Sequence, residues 1–182
     1  MTPPQLTEVE ALELLAQQYG LTGQLSALPG ERDRNFQLCL ANGEKNTFKL
    51  VSADVPLESL KVEIQAMQHL NSVLGNLVPQ PLADQAGHFI SQGNLQNGSS
   101  CWLRLQSWQP GIPLAEFRPH TTELFHSVGH LMGQVTTSLS TLAVPDPHPD
   151  LPWHPDQASQ IVEEGLSSVT DPLLKNFLVQ TL

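Results

Sequence analysis

The chain has 182 residues, 40% hydrophobic and 14% charged, the composition of a globular protein rather than a disordered one. Its 18 acidic and 8 basic residues give a net charge of −10, which excludes the basic surface that a nucleic-acid binder or a membrane-surface protein would carry. No run approaches the ~18 apolar residues of a spanning helix, and Met1-Thr2-Pro3-Pro4-Gln5 lacks the charged and apolar regions of a signal peptide. A cytoplasmic protein is therefore expected, with Cys39 and Cys101 as buried free thiols.

Residues 7–19 read as a helix. Thr7 and Glu10 fit a capping box, Val9, Leu12, Leu14, Leu15 and Tyr19 give an apolar stripe, and Gly20 and Gly23 close it. Residues 24–28 are a short strand and 29–34 a polar turn. Residues 35–41 are a second strand, with Phe36, Leu38 and Leu40 on one face. Asn42-Gly43 is a hairpin signal, and 47–52 form the third strand. Asp54-Val55-Pro56 then leads into a helix over 57–74, whose Leu57, Leu60, Ile64, Met67, Leu70 and Leu74 recur every three or four positions. Residues 78–82 are an extended connector, and 88–92 and 100–106 are two more strands around the turn Gln96-Asn97-Gly98. This order predicts an α+β fold, a five-stranded antiparallel sheet with one inserted helix.

Trp108-Gln109-Pro110-Gly111 breaks the pattern as a hinge or crossover. A strong amphipathic helix follows over 121–142, carrying Leu124, Phe125, Val128, Leu131, Met132, Val135, Leu139 and Leu142. The proline-rich stretch 144–156 reads as an irregular connector, and 157–169 and 171–182 as two helical segments. Leu173, Leu174, Phe177, Leu178 and Leu182 make an apolar face with no obvious partner in the chain. The expected division is residues 1–107 as a first lobe and 108–182 as the hinge and truncated start of a helical lobe.

Lys49 and Glu63 carry the most chemical information. Lys49 stands in the strand Phe48-Lys49-Leu50-Val51, and Glu63 follows on the next helix. A lone strand lysine is usually a solvated edge residue, and Lys61–Glu58 reads as an ordinary helix pair. Strand lysine and helix glutamate together are the pair with which kinase-type small lobes hold nucleotide phosphates. The hairpin from Leu28-Pro29-Gly30 to Asn35-Phe36 lacks a Gly-x-Gly-x-x-Gly signature and is equally a charged hairpin tip. His126 and His130, four apart, read as polar-face histidines, since no His-Glu-x-x-His pattern or third ligand accompanies them. His148, His154, Asp146, Asp150 and Asp156 read as a solvated loop, and no Gly-x-Ser-x-Gly elbow supports a hydrolase. No metal ligand set is expected.

The run Leu28-Pro29-Gly30-Glu31-Arg32-Asp33-Arg34-Asn35-Phe36, then Phe48-Lys49-Leu50, Glu63 and His69-Leu70, and finally Trp108-Gln109-Pro110-Gly111-Ile112-Pro113-Leu114, resembles the N-terminal part of an aminoglycoside-phosphotransferase-like kinase. Within that group the chain is most similar to the hydroxylysine-kinase-like branch, which also occurs as the first domain of bacterial class III, pyridoxal-phosphate-dependent aminotransferase fusions. The resemblance implies a protein-kinase-like small lobe that binds ATP with Mg²⁺, and a small-molecule acceptor bearing an amine. It implies that Lys49 contacts the α/β phosphates with Glu63 paired to it. Asn35 would lie over the phosphates, and Ser107 and Gln109 would bond the adenine edge through their backbone.

The family's His-x-Asp loop with an Asn five residues on, and its Asp-x-Asp metal site, are missing from the required places. His148-Pro149-Asp150 has Pro155 where the Asn belongs. The resemblance thus puts the catalytic loop and metal ligands beyond Leu182, leaves this chain with no catalytic residue, and predicts that it is inactive alone. A non-catalytic regulatory or structural module of a multidomain aminotransferase is the alternative.

Overall fold

The computed structural model describes residues 2–143 and 157–181. The expected proline-rich connector, with His148-Pro149-Asp150 and His154, lies outside the described residues. By compactness the chain divides into two units, Met1–Pro145 and Asp146–Leu182.

The first unit opens with helix α1 (Glu8–Tyr19), capped by Thr7, whose hydroxyl accepts from the Glu10 N–H at 3.2 Å. The capping box closes only on that side, because Glu10 Oε1 instead accepts from the Gln96 N–H at 2.5 Å, tying the helix to a turn far along the chain. Gly20 ends α1 with φ 65°, a conformation in which a Cβ would be strained. Strands β1 (Gly23–Leu28), β2 (Asp33–Leu40) and β3 (Lys45–Ser52) follow, then helix α2 (Leu57–Leu74), then β4 (Pro81–Leu82), β5 (Ser91–Asn94) and β6 (Ser100–Ser107). All pairings are antiparallel, in a six-stranded sheet ordered β1-β2-β3-β6-β4, with β5 also on β6.

Strands β2 and β3 each begin two residues earlier than expected, at Asp33 and Lys45, and two larger details differ from the sequence expectation. The two residues of β4 add a sixth strand within the expected connector. The next strand starts at Ser91 rather than 88, because a turn holds the preceding residues. There Asp84 N donates to His88 O at 2.8 Å, Asp84 Oδ1 accepts from the Ala86 and His88 N–H groups, and Gly87 sits at φ 87°.

Strand alternation sorts the side chains into two faces. Phe36, Leu38, Phe48, Leu50, Leu103 and Leu105 face α1 and pack with its Ala11, Leu14 and Leu15 in one buried cluster. Burial also pushes the Cys101 thiol up to about 11; Cys101 and the half-buried Cys39 are both free. Helix α2 lies over the other face, where Leu60 and Ile64 are buried and Glu63 meets Arg104. Helix α3 (Thr122–Leu139), capped by Thr121, packs along α2, with His69 Nε2 at 2.9 Å from the Ser138 carbonyl. Its expected apolar stripe is not a core: Phe125 and Met132 are 54% and 56% exposed.

The second unit contains α4 (Ala158–Gly165) and α5 (Pro172–Thr181). Asp171 begins α5, its Oδ1 accepting from the Leu173 and Leu174 N–H groups at 2.8 and 3.3 Å. Among the described residues no helix is long and apolar enough to cross a membrane.

Candidate functional site

The site is built on the sheet face that carries α2. Strand register sets Asn35 of β2 directly opposite Lys49 of β3, and Lys49 directly opposite Arg104 of β6. Directly opposed residues project to the same side, so these form a polar row across three adjacent strands. The opposite side of those strands is the apolar face against α1.

Arg104 is only 3% exposed, and a buried guanidinium cannot shed its charge, so it must find an anion. Glu63 supplies it, with Arg104 Nη1 at 2.5 Å from Glu63 Oε2, while Arg104 Nε is buried without a hydrogen-bond partner. Lys49 Nζ instead lies 3.1 Å from Asp33 Oδ2, each side chain about a quarter exposed. Asp33 opposes Val51, so it is the diagonal neighbour of Lys49 on that face, a span that a lysine side chain bridges.

These pairs correct the expected Lys49–Glu63 ion pair. Arg104 competes for the same carboxylate from deeper in the sheet, where an unpaired charge is most costly. The more exposed Lys49 is left to the carboxylate at the end of the adjacent hairpin. The signal for Arg104 was present in the sequence. In Cys101-Trp102-Leu103-Arg104-Leu105, alternation turns Arg104 away from the apolar face and toward the side covered by the preceding helix α2, where it needs a counter-charge.

The β1–β2 loop meets this row at Asn35. Asn35 Nδ2 donates to the Pro29 carbonyl at 3.3 Å, while Asn35 Oδ1 is buried without a partner. Gly30 approaches so closely that a Cβ there would fall 2.3 Å from the Asp33 carbonyl oxygen and 2.6 Å from Asn35 Nδ2. The backbone holding Asp33 beside Lys49 is therefore fixed by a glycine and an amide.

Ser107 and Gln109 stand further along. Ser107 ends β6 opposite Asn46, its N–H donating to the Gln80 carbonyl at 2.9 Å and its hydroxyl accepting from the Gln80 N–H at 2.8 Å. The next N–H, of Trp108, donates to the Lys45 carbonyl at 3.4 Å, and Gln109 is half-buried. Three residue steps along the strand separate Ser107 from Arg104, about 10 Å. The fold thus unites Asn35 and Lys49, joins Glu63 to them through Arg104, and sets Ser107 at the far end of β6 with Gln109 just beyond it.

A cavity of about 460 Å³ lies on α2, lined by Leu57, Lys61, Ile64 and Gln65 with residues 87–90, and none of the row borders it. Among the described residues no three His, Cys, Asp or Glu side chains gather as a metal site, and Asp33 and Glu63 are both committed to cations.

Compared with solved structures, the chain matches amicoumacin kinase hAmiN, determined in complex with AMP-PNP, Ca²⁺ and Ami. The TM-score is 0.68 at 18% identity, and the match covers 97% of this chain and 53% of that one. The chain spans about half the length of that kinase. No family model and no curated protein matches it. The architecture is a kinase-like α+β fold.

Proposed function

We propose that this chain is the ATP-binding part of a small-molecule kinase that transfers a γ-phosphate to a hydroxyl of an amine-bearing metabolite, such as a hydroxylysine, an amino alcohol or an aminoglycoside-like compound. The observation that carries the reading is the row Asn35–Lys49–Arg104 on a kinase-like sheet, with the β1–β2 loop bonded to Asn35 at its end. Residues 1–107 act as the nucleotide lobe, and 108–182 as the hinge and the start of a helical lobe. Lys49 meets the α/β phosphates, since an ammonium on a fixed strand is a point charge suited to phosphate oxygens. Asn35 and its loop cover the phosphates, and the Ser107 carbonyl and Gln109 N–H border the adenine. Glu63 holds α2 through Arg104. The described residues do not fit Mg²⁺, because both nearby carboxylates neutralise cations. In this reading the metal's ligands and the catalytic base come from outside this chain.

The diversion of Glu63 to Arg104 also favours a second reading, a kinase-like module without turnover; that it belongs to a multidomain pyridoxal-phosphate-dependent aminotransferase rests on the sequence resemblance alone. The test is ADP release by the full-length protein, with MgATP and a panel of hydroxyl-bearing amines. Turnover lost in Lys49→Ala is the expected result. Saturable nucleotide binding without turnover on any acceptor supports the second reading instead. MgATP turnover by residues 1–182 alone would contradict the assignment of catalysis to other segments.

A further inference from the structure

We propose that Asp33 is the counter-ion which a nucleotide's polyphosphate displaces from Lys49, so that Asp33 sets how tightly the phosphate site binds. The inference rests on the nucleotide reading above. Lys49 Nζ and Asp33 Oδ2 are 3.1 Å apart, so the carboxylate occupies the ammonium that phosphate oxygens would use. Glu63, the other carboxylate of this face, is held by Arg104. Both Lys49 and Asp33 keep about a quarter of their side chains in solvent, so an anion can reach the pair without unfolding the sheet.

Asp33 cannot simply withdraw with its backbone. Its strand pairing to Val51 and the close packing of Gly30 on its carbonyl hold the main chain in place. Only its side chain can rotate away, and it then faces incoming phosphates as a like charge. The pair therefore acts in two opposing ways. It keeps the flexible lysine stem drawn over the row before nucleotide arrives, and it penalises any anion that takes the ammonium.

Asparagine at position 33 keeps the size of the side chain and removes the competing charge. The experiment is a calorimetric titration of the full-length protein with Mg²⁺–AMP-PNP, and separately with inorganic tripolyphosphate. The variants are Asp33→Asn, Lys49→Ala and the double substitution, with Asp33→Ser in reserve should Asp33→Asn misfold. Asp33→Asn is expected to bind both anions roughly two- to tenfold more tightly, as removal of a partly exposed ionic competitor allows, and to unfold at the same or a slightly lower temperature. A merely structural role for Asp33 would lower the unfolding temperature without tightening anything. The gain should shrink in the Lys49→Ala background. An equal gain there overturns the inference, because Asp33 would then act through its charge without engaging Lys49. If Lys49→Ala weakens binding while Asp33→Asn leaves it unchanged or weaker, the counter-ion role fails and the nucleotide reading stands. If Lys49→Ala leaves AMP-PNP binding unaltered, the nucleotide reading fails and the inference falls with it.

Discussion

Asp84 shows how one carboxylate can organise a segment that has little regular structure. Its side chain is 5% exposed, and it accepts from the Ser91 hydroxyl at 2.7 Å and from the Ala86 and His88 N–H groups at 2.9 and 2.8 Å. Burial favours the neutral acid, but the hydrogen bonds from Ser91, His88 and Ala86 together outweigh it and hold the carboxyl below its ordinary value of 3.8. A depressed folded pKa means that the stabilisation is fully present above the unfolded value and is lost as pH falls through the folded one. Asp84→Asn should therefore cost about 1.5–3 kcal/mol at neutral pH, the scale of a hydrogen bond to a charged group. In urea unfolding, the difference from the parent should narrow as pH drops below 3.8. A difference that stays constant from pH 7 to pH 3 would show that the charge of Asp84 is not what holds the turn.

At the scale of elements, the Arg104–Glu63 pair is a polar tie between α2 and the sheet. Glu63 is about half exposed, so the pair is worth less than a fully buried one. Glu63→Gln should lower stability by about 1–2 kcal/mol by leaving the buried Arg104 without its anion. Arg104→Met combined with Glu63→Gln should cost less than the sum of the singles, with a coupling of about 1 kcal/mol in a denaturant double-mutant cycle. Strict additivity would mean that the pair does not hold the helix.

The same elements show which features can be read from a sequence. The α2 span Leu57–Leu74 coincides with its apolar periodicity, and Asn42-Gly43 makes its hairpin, because both signals are local. Lys49 falls on β3 as its flanking Phe48 and Leu50 imply. The partner of Lys49 was not legible, since choosing among Asp33, Glu63 and Arg104 requires the register of β2, β3 and β6 together. Pro81–Leu82 was too short to announce itself as a strand, existing only because Gln106 and Leu105 are there to pair with it. The stripe of α3 marks the helix but not its burial, because periodicity marks an apolar face and not what covers it.

For the whole molecule, one apolar sheet face packed on α1 leaves the other free to carry charge. The core fixes the strands, and the strands fix the spacing of Asn35, Lys49 and Arg104, the row on which the proposed anion site rests. The likeness to a kinase solved with AMP-PNP establishes the architecture at 18% identity, and the nucleotide assignment rests on the row itself. The most direct measurement is the affinity of Mg²⁺–AMP-PNP for the full-length protein and for its Lys49→Ala variant. The account predicts saturable binding that weakens about tenfold or more when the ammonium is removed, since an ion contact to phosphate of about 1.4 kcal/mol or more is lost. No saturable binding at millimolar nucleotide, or identical isotherms for the two proteins, would contradict it.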